Sequence, residues 1–472
     1  MDLIGRYREV SILTDAIDSK RPELIVVYGR RRIGKTYLVR NVCRENIVVE
    51  FTGMNRASMR SQMKNFHFTL SQNDVSLRMP SDWIEAFRNL SLYLDKLTTK
   101  RKKVVFIDEF PWFDTRKSNF LAAFDLFWNS YASKRSDLVV VICGSAASYI
   151  IKKIIRSKGG LHNRITTAVR LEPFSLHETE IFLKKNGVSL TRYDIVNLYM
   201  ALGGIPYYLE KIRPGESAAQ AIERLCFKKN GFLRNEFGNI FAALFDQPDN
   251  HEAIIISLAS ARKGLTRNEI IKKTKLKTGG TVTKTLLELE ESGFIERYLP
   301  YKGTKDTLFR LTDEYSLFYI RFIRKTRPSN RSVWPVLSQQ QSFKIWAGFT
   351  FETICMKHTE QIMEGLKIAG ISFSTGAWLA KGTENGCQID MLIDRADNVI
   401  NICEMKFCNS LFEINSKYAK ELIGKVNNFV SGTGTKKSIF LTFITTYGLV
   451  QNKYRKQLVQ NELTLDHLFV PV

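Results

Sequence analysis

No CxxC pair occurs in the 472 residues, and the seven cysteines, scattered at positions 43, 143, 226, 355, 387, 403 and 408, are odd in number and form no disulfide ladder. They read as reduced core thiols. The six histidines are equally dispersed, without the ligand spacing of a zinc site. Long apolar runs are missing too. The longest, Leu138 to Ile151, is interrupted by Gly144, two serines and Tyr149 and falls short of a bilayer span. Met1 to Lys20 carries Asp2, Arg6, Arg8, Glu9, Asp15 and Asp18, which excludes the apolar core of a signal peptide. These absences predict a cytoplasmic protein with no membrane partner. Acidic residues are also scarce: 47 Asp and Glu face 70 Lys and Arg, a formal charge of +23. A surface of that sign attracts polyanions, nucleic acid above all, although lysines that merely keep a protein dispersed give the same number.

What is present is a globular composition, 44% hydrophobic and 25% charged, in a chain too long for one ordinary core. There is no internal repeat. From Leu24 to Leu171, short β-rich runs (LIVVY, NIVVEF, KVVFID, LVVVICG, TTAVRL) alternate with helical stretches, which predicts a parallel sheet covered by helices. Residues 174–248 read as a small helical lid broken at Gly203-Gly204-Ile205-Pro206. Residues 249–327 show three helices and then two strands around Lys302-Gly303-Thr304-Lys305, the order of a winged helix. Residues 328–342, rich in Pro, Ser, Gln and Asn, read as a linker, and 343–472 form a further α/β unit. The expected class is therefore multidomain α/β, with residues 1–173 as the first domain.

The run Gly29-Arg-Arg-Arg-Ile-Gly34-Lys35-Thr36 matches GxxxxGK[ST] between an apolar strand and a helix. Its glycines let backbone N–H groups converge on phosphate, Lys35 reaches the β- and γ-phosphates, and the Thr36 hydroxyl is a magnesium ligand. ATP and Mg²⁺ are the expected cofactors. A second apolar strand ends in Asp108-Glu109, which puts the pair at the carboxyl edge of the sheet: Asp108 to hold magnesium through water, Glu109 to polarise the attacking water. The next strand ends at Gly144-Ser145, where Ser145 either meets the γ-phosphate or is an ordinary turn serine. Arg164 is either an arginine finger or a surface arginine.

With Ile4-Gly5-Arg6, GRRRIGKT, FIDEF, ICGS, the run from Asn163-Arg164 to Pro173-Phe174, and GGIPYYL, the chain resembles the archaeal-type AAA+ ATPases near the STAND class that carry a winged helix and a restriction-nuclease-like C-terminal domain. The resemblance covers essentially the whole chain and is most specific over residues 1–210. It implies that Gly5 and Arg6 lie near the adenine, and that Pro206 packs by the nucleotide and reports its state.

Residues 251–327 hold sixteen Lys and Arg against nine Asp and Glu, a net of +7. The helix from Thr281 is the candidate reader of a DNA major groove, with Thr281, Thr283 and Lys284 at its leading end and Lys302 and Lys305 on the wing to clamp phosphate. A winged helix used only for protein contacts is the alternative. Further on, two apolar strands flank a turn near Asp397. Folding about it sets Asp390 opposite Glu404, and the period of two puts Lys406 on the face of Glu404. Carboxylates that face each other repel unless a cation lies between them, so a divalent metal is the economical explanation. The pattern Asp390, Glu404-x-Lys406, with Glu352 on a preceding helix, resembles the PD-(D/E)xK nuclease core. That implies Asp390 and Glu404 as metal ligands, Lys406 as the group that orients water, and Glu352 as the residue that tunes the metal set. The leading expectation is an ATPase that couples nucleotide state to DNA binding and a metal-dependent nuclease-like domain. The alternative is an ATP-gated regulator of DNA or protein whose nuclease-like domain is inactive. Oligomeric state stays open, a homo-oligomer included.

Overall fold

The computed structural model describes residues 3–155, 164–245, 247–277, 279–302, 306–328, 331–379 and 388–472. The chain divides into two compact units, Met1–Pro173 with Glu291–Gly293, and Phe174–Glu290 with Phe294–Val472. The regions expected beyond residue 173 share one compact unit, apart from Glu291–Gly293.

The first unit is built on five strands: β1 (Glu23–Gly29), β2 (Ile47–Thr52), β3 (Lys103–Asp108), β4 (Leu138–Gly144) and β5 (Thr167–Leu171), in the order β2-β3-β4-β1-β5. All pairings are parallel. Burial along each strand explains its place. β3 and β4 are buried at every residue, as strands covered on both faces must be, whereas β5 alternates exposed Ala168 and Arg170 with buried Val169 and Leu171, as an edge strand does. One face of the sheet carries an aromatic core. Phe66 stacks on Phe51 with centroids 3.8 Å apart and meets Trp83, Phe87 and Phe113 edge-on.

The second unit begins with helices. Ser175 and Glu178 form a reciprocal capping box at the start of Leu176–Lys185, and Thr191 caps Arg192–Leu202. No strand occurs among the described residues of 174–248, as the sequence predicts. Next come helices Pro248–Ala259, Arg267–Thr274 and Gly280–Glu291 with a small antiparallel sheet, β6 (Leu265–Thr266), β7 (Ile295–Tyr298) and β8 (Leu308–Leu311), ordered β6-β8-β7. His251 ties the first helix to the third, with Nε2 3.0 Å from Glu288 Oε2. The stretch read as a linker is no loose tether. It contains the helical turn Trp334–Leu337, and Trp334 is buried against Phe227 and Phe318, because an indole of that area is better withdrawn from water than left on a tether.

The last region has five strands: β9 (Phe373–Leu379), β10 (Gln388–Arg395), β11 (Val399–Lys406), β12 (Ser438–Thr445) and β13 (Asn461–Thr464), ordered β13-β12-β11-β10-β9. β9, β10 and β11 pair antiparallel, and β11 and β12 pair parallel across the intervening helix Ser416–Thr433. Helix Gln341–Lys357 packs against β10 and β11. Among the described residues no helix is long and apolar enough to cross a membrane, and the six described cysteines are free thiols, five of them buried.

Candidate functional site

In the first unit the parallel order brings three strand ends to one carboxyl edge, with β4 between β1 and β3. Gly29 and Gly34 have φ of 142° and 91°, and a Cβ on Gly29 would lie 2.3 Å from the Leu171 carbonyl oxygen, so only glycine admits this turn. Lys35 opens helix Lys35–Val42, and its buried ammonium donates to the Gly29 and Arg30 carbonyls at 3.1 and 2.8 Å. Burial lowers its pKa, opposed by the negative charges of Glu109 and Asp108. Thr36 Oγ1 donates to Asp108 Oδ2 at 2.7 Å, joining the loop to the end of β3. Glu109 follows with φ of 47°, a left-handed conformation that non-glycine residues seldom adopt. Ser145 Oγ donates to Glu109 Oε1 at 2.9 Å, and the Ser145 amide lies 3.4 Å from Oε2.

Lys35, Thr36, Asp108, Glu109 and Ser145 are thus brought together. Arg6, buried and with positive φ like Gly5 before it, reaches the loop from the N-terminal segment, its Nη2 3.5 Å from the Ile33 carbonyl. Arg164 is exposed, and Asn163 lies outside the described residues. Pro206 opens the short helix Pro206–Leu209 of the second unit. Thr36 Oγ1 and Asp108 Oδ2 are hard oxygen donors beside a lysine, a set that suits Mg²⁺.

In the second unit, β10 pairs with β11 as Met391 opposite Cys403 and Leu392 opposite Ile402, and one further step in that register sets Asp390 opposite Glu404. Glu352, Asp390, Glu404 and Lys406 line one cleft of about 490 Å³. Lys406 Nζ is 3.6 Å from Glu404 Oε2. Other members of the cleft were not singled out by sequence reasoning. Lys425 pairs with Glu404, Tyr418 donates to its Oε2 at 2.9 Å, and Gln388 donates to Asp390. Tyr418, Glu421, Lys425 and Asn428 recur at helical spacing on Ser416–Thr433, a polar stripe that was the available signal. Arg262 had no such signal. Its guanidinium donates to Glu352 Oε1 at 2.5 Å and lies 3.5 Å from Asp390 Oδ2.

These contacts set the charges. Burial and the Asp390 carboxylate push Glu352 up to about 7, with Arg262 opposing. Burial would also raise Glu404, but Lys425 and Lys406 outweigh it and hold its pKa below the ordinary value. Asp390, Glu404 and Glu352, the expected metal trio, share the cleft, with Arg262 beside the first and last and Lys425 and Lys406 beside Glu404. Among the described residues no group of three or more His, Cys, Asp or Glu side chains is gathered to hold a metal ion. The donor chemistry still fits a cation at Glu352 and Asp390, since that pair embraces one.

In the small sheet region the basic residues are placed differently from one another. Thr281, Thr283 and Lys284 are exposed at the start of their helix, and Lys284 Nζ is 3.7 Å from Glu288. Lys302 does not stand free on a wing. It donates to the Thr433 carbonyl at 3.3 Å, while the Tyr301 amide bonds the Ala377 carbonyl at 2.7 Å, because the edge of β9 offers acceptors to the segment beside it. Lys305, Gly303 and Cys387 lie outside the described residues.

Residues 3–212 match the family model of an ATPase domain predominantly from Archaea. A Methanocaldococcus jannaschii relative, the uncharacterized protein MJECL04, is 24% identical over 387 residues, 81% of this chain and 82% of that one. Among solved structures, the Walker-type ATPase PABY2304 of Pyrococcus abyssi is similar at a TM-score of 0.49 and 19% identity, covering 68% of this chain and 97% of its own. The Aeropyrum pernix ORC2 protein, in ADPNP–ADP complexes, gives 0.43 and 15%, covering 68% and 93%.

Proposed function

From the premise that residues 3–212 carry an archaeal-type P-loop ATPase domain, we propose that the chain hydrolyses ATP and couples its nucleotide state to DNA binding and to a metal-dependent, nuclease-like C-terminal region. Lys35 binds the β- and γ-phosphates, and Thr36 and Asp108 hold Mg²⁺, which when bound neutralises charge on the phosphates. Glu109 takes a proton from the attacking water, and Ser145 fixes the carboxylate that does so. Gly5 and Arg6 flank the base, and Arg164 supplies positive charge to the γ-phosphate. Pro206 reports nucleotide state.

Residues 249–327 are read as a winged helix that meets duplex DNA through Thr281, Thr283 and Lys284. Three helices with an antiparallel sheet and a net charge of +7 over residues 251–327 support this. Residues 343–472 are read as a restriction-nuclease-like domain. One observation carries that part: Glu352, Asp390, Glu404 and Lys406, from a helix and two paired strands, line a single cleft. Glu352 and Asp390 would hold a divalent ion, which when bound lowers the pKa of water and offsets charge on the leaving oxygen. Lys406 orients the water from the side of Glu404.

A second reading is an ATP-gated regulator with a silent nuclease-like domain. It is favoured by the pairing of Glu404 with Lys425 and Lys406. Magnesium-dependent nicking of plasmid separates the two.

A further inference from the structure

Arg262 meets two of the cleft's carboxylates, Glu352 and Asp390. It sits on the turn between helix Pro248–Ala259 and β6, a turn pinned by Tyr298, whose hydroxyl donates to the Lys263 carbonyl at 2.5 Å. From there the side chain crosses to residues 90 and more positions away in sequence. Its Nη2 is 2.5 Å from Glu352 Oε1 and 3.5 Å from Asp390 Oδ2, so one nitrogen serves both carboxylates. The contact is not a core ion pair locked in place, because the Arg262 side chain is 55% exposed while that of Glu352 is 12% exposed. The guanidinium reaches the more buried carboxylates from the solvent side.

We propose that Arg262 is a built-in cation that competes with a divalent metal for Glu352 and Asp390, so that the cleft accepts metal only when the arginine withdraws. This rests on the reading of that pair as a metal site. Two cations cannot share so close a pair of carboxylates without strong repulsion, and the guanidinium already hydrogen-bonds Glu352 and pairs with Asp390 by charge. Arg262 belongs to the region read as DNA-binding, so the block comes from a different part of the chain than the cleft. Lys406 and Lys425 pair with Glu404 instead, and Lys406 touches the Glu352 equilibrium only through its charge.

The test is Mn²⁺ binding to the full chain without nucleotide, followed by the electron paramagnetic resonance of free Mn²⁺, for wild type, Arg262→Ala, Arg262→Gln, Asp390→Ala and the Arg262→Ala/Asp390→Ala double variant. Both Arg262 variants are expected to bind one Mn²⁺ at least tenfold more tightly than wild type. Asp390→Ala should abolish that site in either background. Far-ultraviolet circular dichroism and ATP affinity should be alike in all five. Equal, Asp390-dependent affinity in wild type and the Arg262 variants would overturn the competition and leave the metal site standing. No Asp390-dependent Mn²⁺ in any variant would overturn both.

Discussion

Ser145 holds Glu109: its hydroxyl donates to Glu109 Oε1 at 2.9 Å, across the gap between the ends of β4 and β3. A carboxylate on a left-handed residue has few favoured directions, and this bond selects one of them.

Replacing Glu109 by Gln should leave ATP affinity near wild type and reduce turnover by a factor of at least about 100, the scale of a lost general base. Ser145→Ala should lower kcat by roughly tenfold with little change in affinity, because the base remains but is no longer aimed. Lys35→Ala should lose ATP binding itself. Equilibrium binding of a fluorescent ATP analogue together with phosphate release checks all three, and turnover in Glu109→Gln at the wild-type rate would remove Glu109 from the mechanism.

Duplex affinity should fall steeply with salt, and Lys284→Ala should reduce the slope of log K against log salt by about one. Lys302→Ala should change that slope less than Lys284→Ala does, since the Lys302 ammonium is directed at the Thr433 carbonyl. Fluorescence anisotropy across a salt series reads both. A slope that responds to Lys302 and not to Lys284 would reverse the assignment of the DNA-contacting end.

His358 supplies a pH signature within the second unit. Its Nε2 accepts the Leu176 amide at 2.9 Å and its Nδ1 lies 2.8 Å from the Ile354 carbonyl, a fully bonded neutral ring. Burial lowers its pKa from 6.5 to about 4. The folded value lies below the unfolded one, so the stabilisation is complete above pH 6.5 and is lost as pH falls from there toward 4. The loss is on the order of 3 kcal/mol. Urea midpoints of wild type and His358→Gln between pH 7 and 4 test this, and the variant should show the shallower decline. Parallel declines would mean that His358 is not held neutral.

Much of the first unit was legible because its signals are local. The phosphate loop spans eight residues, and a fully apolar strand such as KVVFID fixes both its own burial and the place of the Asp108-Glu109 pair after it. The antiparallel hairpin about Asp397 was legible for the same reason, since a tight turn and a period of two determine which residues face each other. The linker expectation failed because Pro, Ser and Gln describe the neighbours of Trp334 and not Trp334 itself, whose burial decides the segment. Arg262 and Lys302 were misjudged or missed because their partners, Glu352 and Thr433, lie 90 and 131 residues away. Nothing in local periodicity carries a contact of that range.

The most direct measurement is nicking of supercoiled plasmid by the full chain with ATP in Mg²⁺ or Mn²⁺, comparing wild type, Arg262→Ala, Asp390→Ala and Glu404→Ala. The account predicts slow, metal-dependent nicking by wild type and faster nicking by Arg262→Ala. It predicts none by either carboxylate variant, with ATP turnover intact in all four. Plasmid that stays intact with both wild type and Arg262→Ala through long incubation would contradict it and leave the ATP-gated regulator in its place.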